Sequence, residues 1–101
     1  MEGGLRFRLL TPEGEVFSCS CDAVDLTAKD NADRRGGGSL GVRRGHLPAV
    51  AALEEGGLLR VRAEDKTVFS CRVRGGFARI GRDEVEVLTP EASEILQEDG
   101  S

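Results

Sequence analysis

The amino-acid sequence predicts an all-β domain of antiparallel strands. Apolar and polar residues alternate along most of its length, which is the pattern of strands that bury one face. Fourteen glycines in 101 residues place turn signals between these segments at roughly even spacing, as in sandwiches and barrels. No stretch offers the helix-sized crossover that parallel pairing demands. We therefore expect about eight short strands in an antiparallel sandwich or barrel.

The first third of the sequence predicts a hairpin followed by a third strand. Residues 5–9 place Leu and Phe on one side and two arginines on the other. Residues 11–14, Thr-Pro-Glu-Gly, form a turn, because proline presets φ and glycine relieves the last position. Residues 16–21 return as the second strand, and residues 23–27 form the third. From residue 28 to residue 38 charged residues and glycines replace the alternation, so we expect a long surface loop there.

The rest of the chain predicts further short strands separated by glycine-containing turns. Order resumes at residues 39–42, and a corner at residues 45–48 leads into a short apolar stretch that ends at Leu53. Residues 63–66 form a turn that closes a hairpin. The remaining strands are predicted at residues 59–62, 67–74, 77–80 and 84–88.

The segment after Pro90 has a different pattern. Ala92, Ile95 and Leu96 have helical spacing over about two turns, and an isolated helix of this length is marginal in water. We therefore expect the domain to occupy residues 1–90. Residues 91–101 are expected to form a short helical stub or a frayed tail.

Composition and charge exclude several classes of protein. A net charge of −4 and a pI near 5.0 argue against nucleic-acid binding, which depends on a basic surface. No apolar run approaches the ~20 residues of a membrane-spanning helix. The N-terminus, Met1-Glu2-Gly3-Gly4, resembles neither a signal peptide nor a transit peptide. Three cysteines cannot all pair within the chain, so we expect reduced thiols and a cytoplasmic location.

Residues for catalysis or metal binding are sparse. His46 is the sole histidine, and the sequence contains no G-x-S-x-G nucleophile motif. Cys19, Cys21 and Cys71 could join His46 in a Cys₃His zinc site, but their spacing differs from that of the common zinc knuckle, and core packing is expected. The run of Arg34, Arg35 and three glycines lacks the lysine of a phosphate-binding loop. We expect no catalytic, cofactor or metal site.

Three stretches, in order, resemble the epsilon subunit of bacterial and plastid F-type ATP synthases, called delta in mitochondria. Residues 10–17 (Leu-Thr-Pro-Glu-Gly-Glu-Val-Phe) resemble the opening hairpin of that family. Residues 38–48 (Gly-Ser-Leu-Gly-Val-Arg-Arg-Gly-His-Leu-Pro) are similar to its glycine-rich segment, and the likeness continues to residue 61. Residues 73–77 (Val-Arg-Gly-Gly-Phe) and 83–88 resemble its last strands. Together they cover about residues 5–90.

The resemblance implies a ten-stranded, flattened antiparallel β-sandwich that performs no bond chemistry. Such a subunit is part of the central stalk and links the gamma subunit to the c-ring during ATP synthesis coupled to proton or sodium transport. It is peripheral to the membrane, on the cytoplasmic face of the inner membrane in bacteria. The contact residues that it implies are Gly38, Ser39, Leu40, Gly41, Gly45 and His46.

The sequence departs from the family pattern in charge and at its C-terminus. Ser39 stands where the family has an acidic residue, and Arg44 where it has proline; Arg34, Arg35 and Arg43 add to this basic run. Charge pairing with the c-ring is therefore expected to differ. The family's C-terminal helical hairpin has no counterpart in residues 91–101, so we expect no ATP binding and no inhibition of the hairpin type.

Two alternatives to the rotor subunit remain open. A stand-alone β-sandwich adaptor would bind a protein or peptide through a long, unprotected edge strand. A zinc- or thiol-dependent enzyme would bring Cys19, Cys21, Cys71 and His46 within reach of one metal ion. A rotor subunit requires instead an apolar patch on one sheet face, because an isolated connector must expose its docking surface.

Overall fold

The computed structural model describes residues 4–29 and 38–95, and in this part of the chain ten strands form two five-stranded sheets. The strands are β1 (Leu5–Thr11), β2 (Gly14–Cys21), β3 (Ala23–Ala28), β4 (Gly38–Arg43), β5 (Ala49–Ala52), β6 (Glu55–Ala63), β7 (Lys66–Arg74), β8 (Phe77–Ile80), β9 (Glu84–Leu88) and β10 (Ala92–Glu94). The all-β sandwich predicted from the sequence is confirmed. The bounds of β8 and β9 are those predicted.

The two sheets stack face to face. Sheet I has the strand order β2-β1-β9-β8-β5, and sheet II has the order β10-β7-β6-β3-β4. The predicted hairpins β1–β2 and β6–β7 are both present. Glu64 and Asp65, at the tip of the second, have φ values of 54° and 65°, as a tight two-residue hairpin turn requires.

The core lies between the sheets and is built from the apolar side of each alternating strand. Leu5, Phe7 and Leu9 of β1 are at most 1% exposed. Similar residues from other strands join them, together with Leu53 between β5 and β6: Val24, Leu26, Val42, Leu59, Val61, Val85 and Val87. Each such side chain contributes roughly 1.5–3 kcal/mol on full burial, so this interior holds the two outer faces rigid.

One strand pair differs from the expected antiparallel arrangement. β1 and β9 are parallel, with Arg6 opposite Glu84 and Leu10 opposite Leu88; every other pair in the described residues is antiparallel. The expectation that parallel pairing needs a helical crossover was wrong here. The intervening strands β2–β8 make the connection instead: the chain passes between the two sheets several times before β9 pairs with β1.

The helical interpretation of the segment after Pro90 is also wrong where the structure describes it. Ala92–Glu94 form β10, which pairs antiparallel with β7. The backbone N–H of Arg74 donates to the carbonyl of Glu91 at 3.0 Å, and that of Ile95 donates to Ser70 at 2.9 Å. The edge of β7 thus supplies backbone hydrogen bonds to this segment, whereas an isolated helix of two turns is marginal in water. Leu96 lies outside the described residues.

The predicted loop between residues 28 and 38 is described only at its ends. Ala28 ends β3 and Gly38 begins β4; residues 30–37, including Arg34 and Arg35, lie outside the described part. Among the residues described, no helix has the length and apolar character that crossing a bilayer demands.

Candidate interaction surfaces

Four of the six contact residues implied by the resemblance lie on β4. Gly38, Ser39, Leu40 and Gly41 pair with β3, and β4 is the last strand of sheet II in the described residues. Leu40 packs against the core, whereas the other three are exposed. A substituent at Gly41 would meet the carboxylate of Asp25 at 3.4 Å. This strand therefore presents mainly backbone and small side chains to a partner.

The other two, Gly45 and His46, form the corner that joins the two sheets. Gly45 has φ of +90°, a conformation that glycine adopts without strain. Its N–H donates to the carbonyl of Arg82 at 2.6 Å, and the N–H of His46 donates to Arg43 at 3.2 Å. His46 Nδ1 lies 2.7 Å from the carbonyl oxygen of Leu47. The imidazole thus takes part in a local backbone contact.

The structure does not gather the six residues at one point. Gly38 and Arg43 stand at opposite ends of β4, which a strand rise of about 3.3 Å per residue separates by roughly 16 Å. Gly38 pairs with Ala28 at one end of β4, and His46 follows Arg43 at the other end. The residues form a line along one side of the molecule, so a single partner would have to follow that line.

The cysteines pack as small apolar groups. Cys21 and Cys71 are buried, and Cys19 packs against the core. Burial raises the pKa of Cys21 to about 11, helped by the nearby Cys19 and Asp22, and burial followed by Glu94 raises the pKa of Cys71 to about 11. Protonated thiols are poor nucleophiles and metal ligands. In the described ranges, no three His, Cys, Asp or Glu side chains converge in a way that could hold a metal ion.

An apolar surface that the sequence analysis did not single out lies on the outer face of sheet I. Leu10 of β1 stands opposite Leu88 of β9, which in turn stands opposite Phe77 of β8. Phe77 is 56% exposed and Leu88 is 40% exposed. Together with Pro12 and Pro90 these residues line one cleft. We call Leu10, Leu88 and Phe77 the apolar row.

The signal for the apolar row was present in the sequence. Leu10 has the same parity as Arg6 and Arg8 in β1, and Leu88 has the parity of Glu84 and Glu86 in β9. Phe77 likewise has the parity of Arg79. In a strand, residues two apart face the same side. The alternation therefore places all three apolar residues on the solvent face.

A charged row crosses the same strands next to the apolar row. Arg8 contacts Glu15 at 3.2 Å and Glu86 at 3.0 Å, and Arg79 contacts Glu86 at 3.3 Å. The pairs join β2, β1, β9 and β8 in succession. We call Arg8, Glu86 and Arg79 the charged row. Its charges satisfy one another within the chain, whereas the apolar row has no covering group among the described residues.

A glycine turn positions Phe77 in the apolar row. Gly75 and Gly76, between β7 and β8, have φ values of 73° and 105°. A side chain at Gly76 would overlap the carbonyl oxygen of Leu88, so only glycine lets β8 approach β9 this closely. The carbonyl of Gly76 also accepts the N–H of Leu53 at 2.9 Å. The Gly-Gly-Phe sequence is thus a structural requirement of this face.

The sheet edges bear on the adaptor hypothesis. β2, the last strand of sheet I on one side, has eight residues, but its register against β1 shifts between Leu9 and Leu10. Such a bulge is one of the features that blunt an edge against further pairing. The apolar row is therefore a stronger docking feature than the edge of β2.

Comparison with known proteins gives consistent similarities. Residues 4–95 match the family described as "ATP synthase, Delta/Epsilon chain, beta-sandwich domain". The chain is 34% identical over 97 residues to the chloroplastic ATP synthase epsilon chain of Pylaiella littoralis, covering 96% of this chain and 67% of that one. It is 40% identical over 88 residues to the ATP synthase epsilon chain of Synechococcus sp. (strain WH7803), covering 87% of this chain and 58% of the relative.

The fold is also similar to solved structures. A chain in the cryo-EM structure of Euglena gracilis mitochondrial ATP synthase, OSCP/F1/c-ring in rotational state 1, matches with a TM-score of 0.72 and 23% identity. The match covers 91% of this chain and 54% of that one. The present chain thus spans between about half and two thirds of the length of these proteins.

Proposed function

This chain belongs to the ATP synthase delta/epsilon family through its β-sandwich domain, and from that membership we propose that it is a non-catalytic subunit of the central stalk of an F-type ATP synthase. In this role it links the gamma subunit to the c-ring during ATP synthesis coupled to ion transport. It acts by docking other subunits and transmitting force between them. The observation that carries the proposal is the apolar row on a rigid sheet face.

The apolar row supports a docking role because its exposure is costly for an isolated domain. Exposed apolar patches on soluble proteins commonly mark interaction sites. In many interfaces a few residues in well-packed, desolvated pockets supply most of the binding energy. Phe77 and Leu88 stand side by side on neighbouring strands above a packed core, so they can bind a partner without reordering the backbone. We assign this surface to the gamma subunit.

The line of residues along β4 and its corner supports a second contact. Gly38, Ser39, Leu40, Gly41, Gly45 and His46 are proposed to face the c-ring or the part of gamma next to it. They lie on the opposite edge of the sandwich from β2, on a strand and a corner held by backbone hydrogen bonds. A subunit that links two partners needs two such surfaces.

The proposal also gives a location. The chain would be peripheral to the membrane, held there by the rest of the complex. In a bacterium this is the cytoplasmic face of the inner membrane. Membership of the complex is the whole basis for this placement.

Co-purification tests the function directly. Tagged full chain is mixed with purified gamma subunit, with purified c-ring, and with both, all from the same organism. The proposal expects stable capture of gamma alone and of the c-ring when gamma is present. Failure to capture gamma under conditions where the chain is folded would contradict it.

A further inference from the structure

The corner between the sheets, which contains Gly45 and His46, also carries charged groups that have no ion-pair partner among the described residues. The hydrogen bond from Gly45 to Arg82 holds the β4–β5 corner against the turn between β8 and β9. The stem of Arg44 passes directly over Gly4, where an added side chain would overlap it. Leu47, two residues after Gly45, is 76% exposed, the largest value among the exposed apolar residues of the described chain. We call Arg43, Arg44, Leu47 and Arg82 the basic corner.

The basic corner contains three arginines from two separate parts of the chain. All three are exposed, and within the described residues none takes part in an ion pair. Arg74 and Arg79, by contrast, each contact a glutamate. Asp83, next to Arg82, is the carboxylate nearest in sequence. The corner therefore concentrates positive charge on a chain whose net charge is −4.

We propose that the basic corner docks an acidic segment of a neighbouring stalk subunit, whose carboxylates pair with Arg43, Arg44 and Arg82 while an apolar pocket covers Leu47. Arginine suits this role because its planar guanidinium binds carboxylates in bidentate fashion. Complementary charge speeds association and selects the register of the complex. This inference rests on the proposed function, and it names the chemistry of one contact within it.

Charge argues for a protein partner over a lipid surface. Binding to anionic lipid headgroups typically uses clusters of about 4–8 basic residues, and the corner has three. Asp83 and Glu84 stand beside them on the same turn and would oppose a uniformly negative membrane. An acidic loop can place its carboxylates opposite individual arginines and avoid these two.

Association kinetics test the proposal. The full chain binds immobilised gamma–c-ring subcomplex from the same organism at salt concentrations between about 50 and 300 mM, where surface charges are progressively screened. The triple variant Arg43→Gln/Arg44→Gln/Arg82→Gln is expected to associate about tenfold more slowly at low salt and to lose most of the salt dependence. Leu47→Ser should raise the dissociation rate and leave the association rate nearly unchanged. Arg60→Gln, an exposed arginine on the outer face of sheet II, is the control and should behave as wild type.

The outcomes separate this inference from the proposed function. If wild type binds and the triple variant binds with the same rate and salt dependence, the basic corner is not the docking site, and the stalk function stands. If wild type does not bind the subcomplex, the function and the inference both fail. Co-sedimentation of wild type, but not the triple variant, with phosphatidylglycerol vesicles, together with unchanged subcomplex binding, would overturn the inference in favour of a membrane contact.

Discussion

Two neighbouring rows of residues on the outer face of sheet I differ in whether they gain from contact with a partner. The charged row of Arg8, Glu86 and Arg79 closes on itself through contacts of 3.0–3.3 Å. The apolar row crosses the same strands one pleat away, and its Phe77 is 56% exposed. A charged row gains little from a partner, since its groups already pair, whereas an apolar row gains free energy when it is covered. The face thus separates a part that stabilises the domain by itself from a part that we propose serves docking.

The largest expected effect is on the free energy of unfolding, and it comes from a substitution in the glycine turn that positions Phe77. Gly76→Ala places a methyl group against the carbonyl of Leu88 at a φ of 105°. We expect the free energy of unfolding to fall by about 3 kcal/mol, from strain and steric overlap together, as measured by urea denaturation. Gly14→Ala is the matched control, since it has φ of 123° but no atom within 4 Å. It should cost only about 1 kcal/mol, from backbone strain alone; equal losses would mean that the close approach of β8 and β9 is unimportant.

Substitutions at two adjacent residues distinguish an effect on core packing from an effect on binding. Val87 is fully buried and Leu88 is 40% exposed. Val87→Ala should lower the free energy of unfolding by about 2–3 kcal/mol through the cavity it creates. Leu88→Ser should change stability by less than about 1 kcal/mol and weaken gamma binding about tenfold, as lost apolar contact at an interface does. A Leu88 variant that unfolds as readily as the Val87 variant would contradict the distinction.

A smaller effect is expected from the charged row. Glu86→Gln removes the carboxylate that bridges Arg8 and Arg79. Because the arginine side chains are 42% and 68% exposed, solvent screens the pairs, and the loss should be about 0.5–1 kcal/mol. The loss should shrink as salt rises, and binding to gamma should be unchanged. A stability loss independent of salt would indicate that Glu86 acts through packing and not through charge.

The buried thiols of Cys21 and Cys71 are expected to make the free energy of unfolding depend on pH. Burial raises the pKa of Cys21 and Cys71 from 9.0 to about 11, so the folded chain holds protons that the unfolded chain has lost in this interval. The free energy of unfolding is therefore expected to be independent of these thiols below pH 9 and to fall as pH rises from 9 towards 11. Chemical denaturation at several pH values measures it. Cys71→Ala should flatten the decline; a stability that rises over this interval would refute the burial of the thiols.

The sequence predicted the all-β fold well because the alternation of apolar and polar residues determines which face of each strand is buried. Buried and exposed positions of β1, β8 and β9 follow the order of apolar and polar residues. The parallel pairing of β1 with β9 could not be predicted, because the pattern of a strand says which face is buried and not which strand lies beside it. β10 was missed because three residues are too few to show a period, and their pairing depends on the edge of β7.

The candidate surfaces were predicted less completely. The resemblance supplied the β4 line and the corner at Gly45 and His46. It did not supply the apolar row, although the parity of Leu10, Phe77 and Leu88 would have placed these residues on the solvent face. That the three stand side by side depends on the registers between β1, β9 and β8, which only the structure reveals. The same holds for Arg82, which a hydrogen bond brings to the corner from a distant part of the sequence.

Two residues on one strand distinguish docking through the apolar row from docking through the charged row. Phe77 and Arg79 both lie on the outer face of β8, one in each row, and calorimetry can measure the affinity of the full chain for the gamma subunit of the same organism. We expect Phe77→Ser to weaken binding by about tenfold or more and Arg79→Ser to change it by less than about threefold. Equal affinities for wild type and the Phe77 variant, or a larger loss for the Arg79 variant, would contradict the assignment of docking to the apolar row.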